Sequence, residues 1–505
     1  MQQESTYLSL KRSKILFLIF GVLIAVISSL VTFSSELIGP IVLIVMAAAV
    51  IFVLLTFRNP RVGFIAVVVW CFMLGLFGRE VGGLPYGMGI EIFLILTWVS
   101  ALVYYPKEDW VLMRNDLSLI FLIWFIINIF EVINPAGASV VGWAQEIRGV
   151  ALYPILIIPL SFVVLSKTRD LDMFIRLILL LAFIAAINGI KQVHIGLFPG
   201  EARFLASPEG ATHMIFGKLR AFSFYDAGQF GAFEAVFVLM AIVLALGSSK
   251  LWKKVLLLGM AGIFGYAMLI SGTRGAFFAL VVAAFFAIIL TKNFKILFAG
   301  SIVMVMFLFV LKFTSIGASV YSINRFRTAL DPEDPSLNVR FKTQQVLREY
   351  LSSRPFGGGL GVLGAYSTNN PGKFLSTIQP DSYWVKLWAM TGVVGLTIWF
   401  TMMMYILGKC CGIIWKVQDK KLKVKLIAIF SASAGIFFCS YGNEVINNMP
   451  SLVVAFISFV LVYQGPRFDR QIAEANRRAA EDSLQDADDE NLSLSGPSTE
   501  IKPLY

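Results

Sequence analysis

The chain sets single arginines where apolar runs begin or end. Arg148 lies in "AQEIRGVALYP", Arg220 in "KLRAFSFYDAGQFGAF" and Arg274 in "LISGTRGAFFAL"; a fourth, Arg340, lies in the polar stretch "SLNVRFKTQQ". A guanidinium is a planar fork that grips phosphate or carboxylate oxygens two at a time. Arginines at the rims of apolar segments therefore point to an anion. Ser271, Gly272 and Gly275 give Arg274 a tight, small-residue bend. Asp381, in "IQPDSYWVKLWAMTGVVGL", opens a further apolar run with Ser382 and Tyr383 beside it. An Asp-Ser pair there caps a helix and suits its dipole, and a carboxylate beside arginines equally serves as a general base. Asp226 follows Arg220 at the entry of another run. The plain alternative for the arginines is snorkelling, with the stem in apolar surroundings and the charge among lipid headgroups.

These rims belong to membrane segments. Of 505 residues, 58% are hydrophobic and 14% charged. Runs long enough to cross about 30 Å of hydrocarbon occur at 15–33, 39–57, 62–77, 88–105, 117–134, 149–166, 174–190, 226–247, 255–271, 275–291, 296–314, 385–408, 426–442 and 449–464. The fold expected is all-α, a polytopic transmembrane bundle of about 14 spans (range 12–14) with a partly helical loop. The first run follows Lys11, Arg12 and Lys14, is long for a signal-peptide core and precedes no A-x-A site, so it reads as a retained span.

With the N-terminus inside, every short basic cluster falls on one side, as the positive-inside rule requires. Before the tail, the inner segments hold 15 Lys and 6 Arg, whereas the outer segments hold 6 Lys and 10 Arg. Topology needs only positive charge inside, and lysine supplies it; arginine outside asks for another reason. The net charge of +11 is scattered through loops rather than gathered in a patch, which fits lipid headgroups as partners and not nucleic acid.

Two outer segments are long. Residues 191–225 hold His194 and His213, and residues 315–384 contain "DPEDPSLNVRFKTQQVLREYLSSRP". In the second, Asp334 caps a helix begun by Pro335, with Val339, Val346, Leu347, Tyr350 and Leu351 as its apolar stripe. Arg340, Lys342 and Arg348 lie off the stripe, either near lipid phosphates or on a solvated face. The histidines lack metal-ligand spacing, and zinc takes three or four placed ligands. The sequence gives no Ser-His-Asp arrangement. "GLGVLG" at 359–364 follows no strand, so it is no dinucleotide loop, although a turn presenting amides to a ligand remains open. The four cysteines form no disulfide or Cys-x-x-Cys pattern. From 465 the chain is polar, a short helix running into a disordered inner tail.

Taken together, "SGTRGAFFAL", "NVRFKTQQVLREYLSSRPFGGGLGVLG", "DSYWVKLWAMTGVVGL" and, more loosely, "LRAFSFYDAGQFGAF" resemble the motif series of the O-antigen ligase and polymerase superfamily, over about residues 218–400. The resemblance implies a GT-C-like glycosyltransferase without cofactor or metal, in a bacterial plasma (inner) membrane, with both termini cytoplasmic and its site on the outer side. Its donor would be a glycan on undecaprenyl pyrophosphate, held by Arg274 and Arg220, with Arg148, Arg340, Asp226, Ser382 and Tyr383 as further substrate-binding residues. A glycan acceptor, membrane lipids and a chain-length regulator are the partners it admits. Ligases of this superfamily usually carry histidine where Asp381 stands, and Ala227 and Gly228 replace the usual Pro-Asn pair. Asp381 fits polymerase-like members better, as the group that orients or deprotonates an acceptor hydroxyl, with inversion. The divisions expected are spans 1–217, a core 218–400, spans 401–464 and the tail 465–505. Transfer of the glycan to lipid A-core is the alternative within the class. A lipid-linked oligosaccharide flippase is the rival outside it, but it would bury charges at mid-membrane and show two related halves.

The threading is testable. Cysteines introduced between 315 and 384 should react with a membrane-impermeant thiol reagent from outside, and those between 410 and 425 should not. Labelling of both sets from one side would overturn it.

Overall fold

The computed structural model describes residues 38–215, 217–292, 335–380 and 382–494, with isolated positions between 295 and 327. It is a polytopic helical membrane protein. Among the described residues, eight helices are long and apolar enough to span a membrane, nine if one bent pair counts as a span, and three apolar helices are shorter. Of the expected spans, 15–33 and most of 296–314 lie outside the described residues; each of the others falls on a helix.

The helices are α1 (Ile38–Arg58), α2 (Pro60–Glu80), α3 (Met88–Tyr104), α4 (Asp116–Phe130), α5 (Val140–Ile147), α6 (Tyr153–Val164), α7 (Thr168–His194), α8 (Pro199–Leu205), α9 (Ala227–Gly247), α10 (Leu251–Ser271), α11 (Arg274–Leu290), α12 (Pro335–Leu351), α13 (Tyr383–Lys416), α14 (Lys420–Cys439), α15 (Ser451–Tyr463) and α16 (Gly465–Leu494). The described sheet is one short hairpin, Met214–Ile215 against Lys218–Leu219. Two compact units result, one from residues up to Ala66 together with Phe93–Tyr104, the other from Val67–Ile92 and Tyr105 onward. In the first, Ser100 Oγ donates to the Thr56 carbonyl at 2.6 Å, and Phe52 meets Phe93 edge to face at 5.4 Å.

In the second unit the core runs along α9, α14 and α15. Most of α9 is buried, from Ala227 to Met240. The "SASAG" stretch of α14, Ser431 to Gly435, is buried throughout, and its small side chains admit close neighbours. A Cβ built on Gly435 would stand 2.8 Å from the Ala279 carbonyl of α11 and 2.9 Å from Val236 of α9. Between α5 and α6 the backbone widens into a π-turn, Arg148–Leu152. Pro154 has no amide to give the Val150 carbonyl, and the buried Trp124 indole supplies its N–H instead, at 3.0 Å.

The sharpest departure from regularity is in α13. Gly392 sits there at φ 69, ψ −170, inside an otherwise helical run. A break in a membrane helix frees backbone groups that lipid cannot satisfy. Here the "PFGGG" segment satisfies them: the Gly358 and Gly359 amides donate to the Ala389 and Met390 carbonyls at 2.9 and 2.8 Å, and the Val394 amide donates to the Pro355 carbonyl at 3.2 Å. The glycine-rich turn at 357–363 is buried, so two of its amides serve this repair. Only glycine fits at the contact, since a Cβ on Gly392 would lie 1.9 Å from the Pro355 oxygen.

Gly392→Ala should therefore cost about 2 kcal/mol or more, from the left-handed backbone and the clash together. Thermal unfolding in detergent should show a lowered midpoint, and an unchanged one would deny the plug its role.

Candidate functional site

The loop after α7 is fastened before it reaches the site. Glu201 at the start of α8 accepts hydrogen bonds from Lys191 (2.6 Å), Asn188 (2.9 Å) and Gln192 (2.8 Å). Gln192 Oε1 in turn accepts the amides of Phe222 and Ser223 at 3.1 and 2.8 Å. Arg79, at the end of α2, lies over the rings of Phe204 and Phe222 at 4.2 and 4.8 Å and donates to the carbonyls of Ser223 and Tyr225. These contacts hold Ser223 in a left-handed backbone conformation, φ 48, and fix the residues on either side of it, Arg220 and Asp226.

Arg220 is brought to the Arg274 turn. Its Nε donates to the Ser271 carbonyl and its Nη2 to Thr273 Oγ1, both at 2.9 Å. Gly272 ends α10 in the left-handed region, φ 57, where a terminal carbonyl lacks its helical partner. Thr273 Oγ1 also donates to the Ala227 carbonyl at 2.7 Å, which ties the start of α11 to the start of α9. Arg274 is the first residue of α11 and half-buried. Asp226 caps α9 through the Gly228 amide at 2.6 Å, and its other oxygen lies 3.1 Å from Nε2 of the buried His213. His213 Nδ1 faces the Gly210 carbonyl at 3.1 Å. His194 lies elsewhere, against the Tyr266 hydroxyl at 2.6 Å.

A connection that sequence reasoning passed over, "YGNEVINNMP" between α14 and α15, joins these pieces. A Cβ on Gly275 would meet Asn443 Nδ2 at 2.1 Å, and one on Gly228 would meet Asn443 Oδ1 at 3.7 Å, so Asn443 lies between the N-termini of α11 and α9. Next to it, Glu444 Oε2 accepts from Lys386 Nζ at 3.1 Å and from Asn447 Nδ2 at 3.3 Å. Lys386 Nζ also pairs with Glu146 at 3.0 Å, both side chains 5% exposed or less. The Tyr383 amide donates to the Ser440 carbonyl at 3.0 Å, docking the start of α13 on the same connection, and the buried Tyr383 ring packs on Trp399. Ser382 caps α13 through the Val385 amide at 3.3 Å.

The remaining expected residues fall around this hub. Arg148 opens the π-turn and pairs with Glu91, whose Oε1 also accepts from the Tyr153 hydroxyl at 2.7 Å. Its neighbour Gly149 would place a Cβ 3.2 Å from the Asn447 carbonyl. Arg340, on α12, shares a cleft with Thr343, Gln344, Gln379 and Ser382. On α12 Leu347 and Leu351 are buried while Val339 and Val346 are 63% and 45% exposed, so the buried edge is narrower than the stripe read from the sequence. Asp381 and Asp334 lie outside the described residues.

Residues 258–400 match the O-antigen ligase family. An O-antigen polymerase of Salmonella muenchen is 26% identical over 269 residues, 50% of this chain and 64% of that protein, so less than two thirds of the relative's length is matched. Both likenesses agree with the resemblance to the O-antigen ligase and polymerase superfamily. The family match runs from within α10 through α11, α12, the PFGGG plug and the break in α13, but Glu146, Arg148, Arg220 and Glu444 lie outside it. The turn at Arg274 is thus completed by residues distant in sequence. Reading the sequence alone missed Arg79, Glu146, Lys386 and Glu444. The one signal for the last was a glutamate among three asparagines in a short connection between apolar runs. Glu234, buried in α9 with neither carboxylate oxygen hydrogen-bonded, was missed as well.

Partial desolvation opposes ionisation of Asp226, but His213 and the Gly228 amide prevail and hold its carboxyl at about 2, below the ordinary 3.8. A depressed carboxylate adds stability that is present above the unfolded value and lost as pH falls through the folded one. The stability difference between the parent and Asp226→Asn should therefore stand above about pH 4 and close as pH approaches 2. Acid-unfolding curves that stay parallel through that window would remove the His213 pairing from the account.

Proposed function

We propose that the protein polymerises oligosaccharide repeats carried on undecaprenyl pyrophosphate at the outer face of a bacterial plasma membrane. The observation that carries this reading is the tie made by Arg220 and Thr273 between the starts of α9 and α11. It brings two helix N-termini, the Arg220 guanidinium and the residue Arg274 into one small region beside Asn443. The start of α9 is already capped by Asp226, whereas a helix start such as that of α11 carries a positive dipole end and amides that favour anions and, with Arg274, suits a leaving pyrophosphate. Arg220 spends two N–H groups on the turn and acts by placing Arg274, which takes the phosphate oxygens.

In the reaction proposed, an acceptor sugar hydroxyl attacks the anomeric carbon of the donor. Its proton passes to Asp381, the new glycosidic bond forms, and the bond to the pyrophosphate oxygen breaks with its electron pair leaving on the phosphate. A single displacement inverts the anomeric centre. In sequence Asp381 stands between Pro380 and Ser382, which both line the cleft that holds Arg340. Ligation of the glycan to a separate acceptor is the second reading, favoured by the matched family's description.

Purified protein reconstituted with authentic lipid-linked repeats separates these. A polymerase gives a ladder of lengths, a ligase one transfer to an added acceptor, and a flippase no new glycosidic bond; absence of a ladder overturns the preferred reading. In the same assay Arg274→Lys keeps the charge but loses the fork, so it should fall about 10² to 10³ in rate, almost as far as Arg274→Ala. A fully active lysine variant would leave Arg274 as a snorkelling residue.

A further inference from the structure

Around Glu444 and Asn447, where Arg148 is engaged by Glu91, the hub has the opposite hydrogen-bonding character from the Arg220 turn. Glu146 and Glu444 share the one ammonium of Lys386. Glu146 is 4% exposed and its Oε2 has no hydrogen-bond partner. The Asn447 side chain gives Nδ2 to Glu444, and its Oδ1 is likewise buried and unpartnered. Glu444 Oε1 accepts no hydrogen bond among the described residues, and the Glu444 side chain is 24% exposed. Three oxygens on three residues thus face a shortage of donors. Burial and the Glu146 charge push Tyr366 over its ordinary value.

A group left in this state loses the desolvation cost of an unmade bond until something donates to it. The chemistry of the missing partner follows. Pyrophosphate is acceptor-only and gains nothing from carboxylates, whereas a sugar hydroxyl carries a donor hydrogen. Lys386 already neutralises one carboxylate, so the surplus charge is that of the more exposed Glu444.

We infer that Glu444, with Asn447 and Glu146 behind it, forms a polyol subsite that accepts hydrogen bonds from the hydroxyls of the acceptor glycan. This rests on the glycosyl-transfer reading of the hub. Lys386 is a positioning residue that fixes the Glu444 carboxylate through Oε2 and leaves Oε1 outward. Donor and acceptor are then sorted by bond polarity, with anion oxygens to the guanidinium side and hydroxyl hydrogens to the carboxylate side, separated by the residues 443 and 444 of one connection.

The test uses the full chain in lipid nanodiscs with two probes: the repeat oligosaccharide released from its lipid, and undecaprenyl pyrophosphate alone. Glu444→Gln should weaken oligosaccharide binding about tenfold to a hundredfold, as expected for loss of a bond to a charged acceptor, and leave undecaprenyl pyrophosphate binding unchanged. Asn447→Ala, which keeps the Lys386 pairs, should weaken the oligosaccharide alone to a smaller degree and serves if Glu444→Gln fails to fold. Oligosaccharide binding equal to the parent's in both variants, or none by the parent, overturns the subsite. If binding depends on Glu444 but the parent forms no glycosidic bond from lipid-linked repeats, the subsite stands and the polymerase reading falls.

Discussion

In hydrocarbon a backbone amide or carbonyl without a partner costs several kcal/mol, and the architecture of this chain is arranged around the place where it breaks that rule. At Gly392 the helix α13 gives up its own ladder, and the Pro355 to Gly359 segment replaces the lost bonds from outside. The consequence reaches beyond α13. Since the plug follows the C-terminus of α12, repairing the break fixes where that helix ends, and Arg340 on it shares a cleft with the Ser382 cap. The same segment is held at its far side by Asn134, whose Nδ2 donates to the Phe356 carbonyl at 2.8 Å, and by Asn370, which bridges the Ser139 amide and the Gly361 carbonyl. A local defect in one span thus determines the geometry of a loop that a flexible linker of equal length would leave undefined.

A second set of constraints comes from charge. Glu146, Lys386 and Glu444 are drawn from α5, α13 and the connection after α14. Removing one partner from such a group leaves an uncompensated buried charge, which is costly, while the intact group adds little net stability. Its effect is therefore on position: the connection that carries Asn443 cannot move away from the N-termini of α9 and α11 without giving up the Lys386–Glu444 pair. The arginine turn and the carboxylate group are held in register by one short piece of chain.

How much of this was legible depended on the range of the interaction. Hydropathy is local, so the helices were readable run by run. The rim arginines were readable because, on the side expected to be outer, arginine has no topological purpose. The capping role of Ser382 followed from its place before an apolar run. What stayed hidden was pairing across distance. Glu146 and Lys386 look unremarkable singly, one in a run read as a loop end and the other swallowed by a predicted span, and nothing local says that they meet. The glycines of 357–361 were visible as a turn, but their partners, two carbonyls in a helix some thirty residues on, were not. Pro154 was visible too, without the indole of Trp124 that makes it tolerable.

The two classes of missed feature differ in what they do to a functional reading. The plug and the Trp124 bond explain how irregular backbone survives in the bundle, and they would be needed for any activity at this face. The polarity of the hub is more selective. The Arg220 guanidinium and the start of α11 lie on the Asn443 side, and acceptor oxygens lacking donors lie on Glu146, Glu444 and Asn447. A transported solute binding as a whole would need only one such surface. On the proposed reading, chemistry that joins a hydroxyl to a carbon carrying an anionic leaving group would use both surfaces at once, one for each reactant.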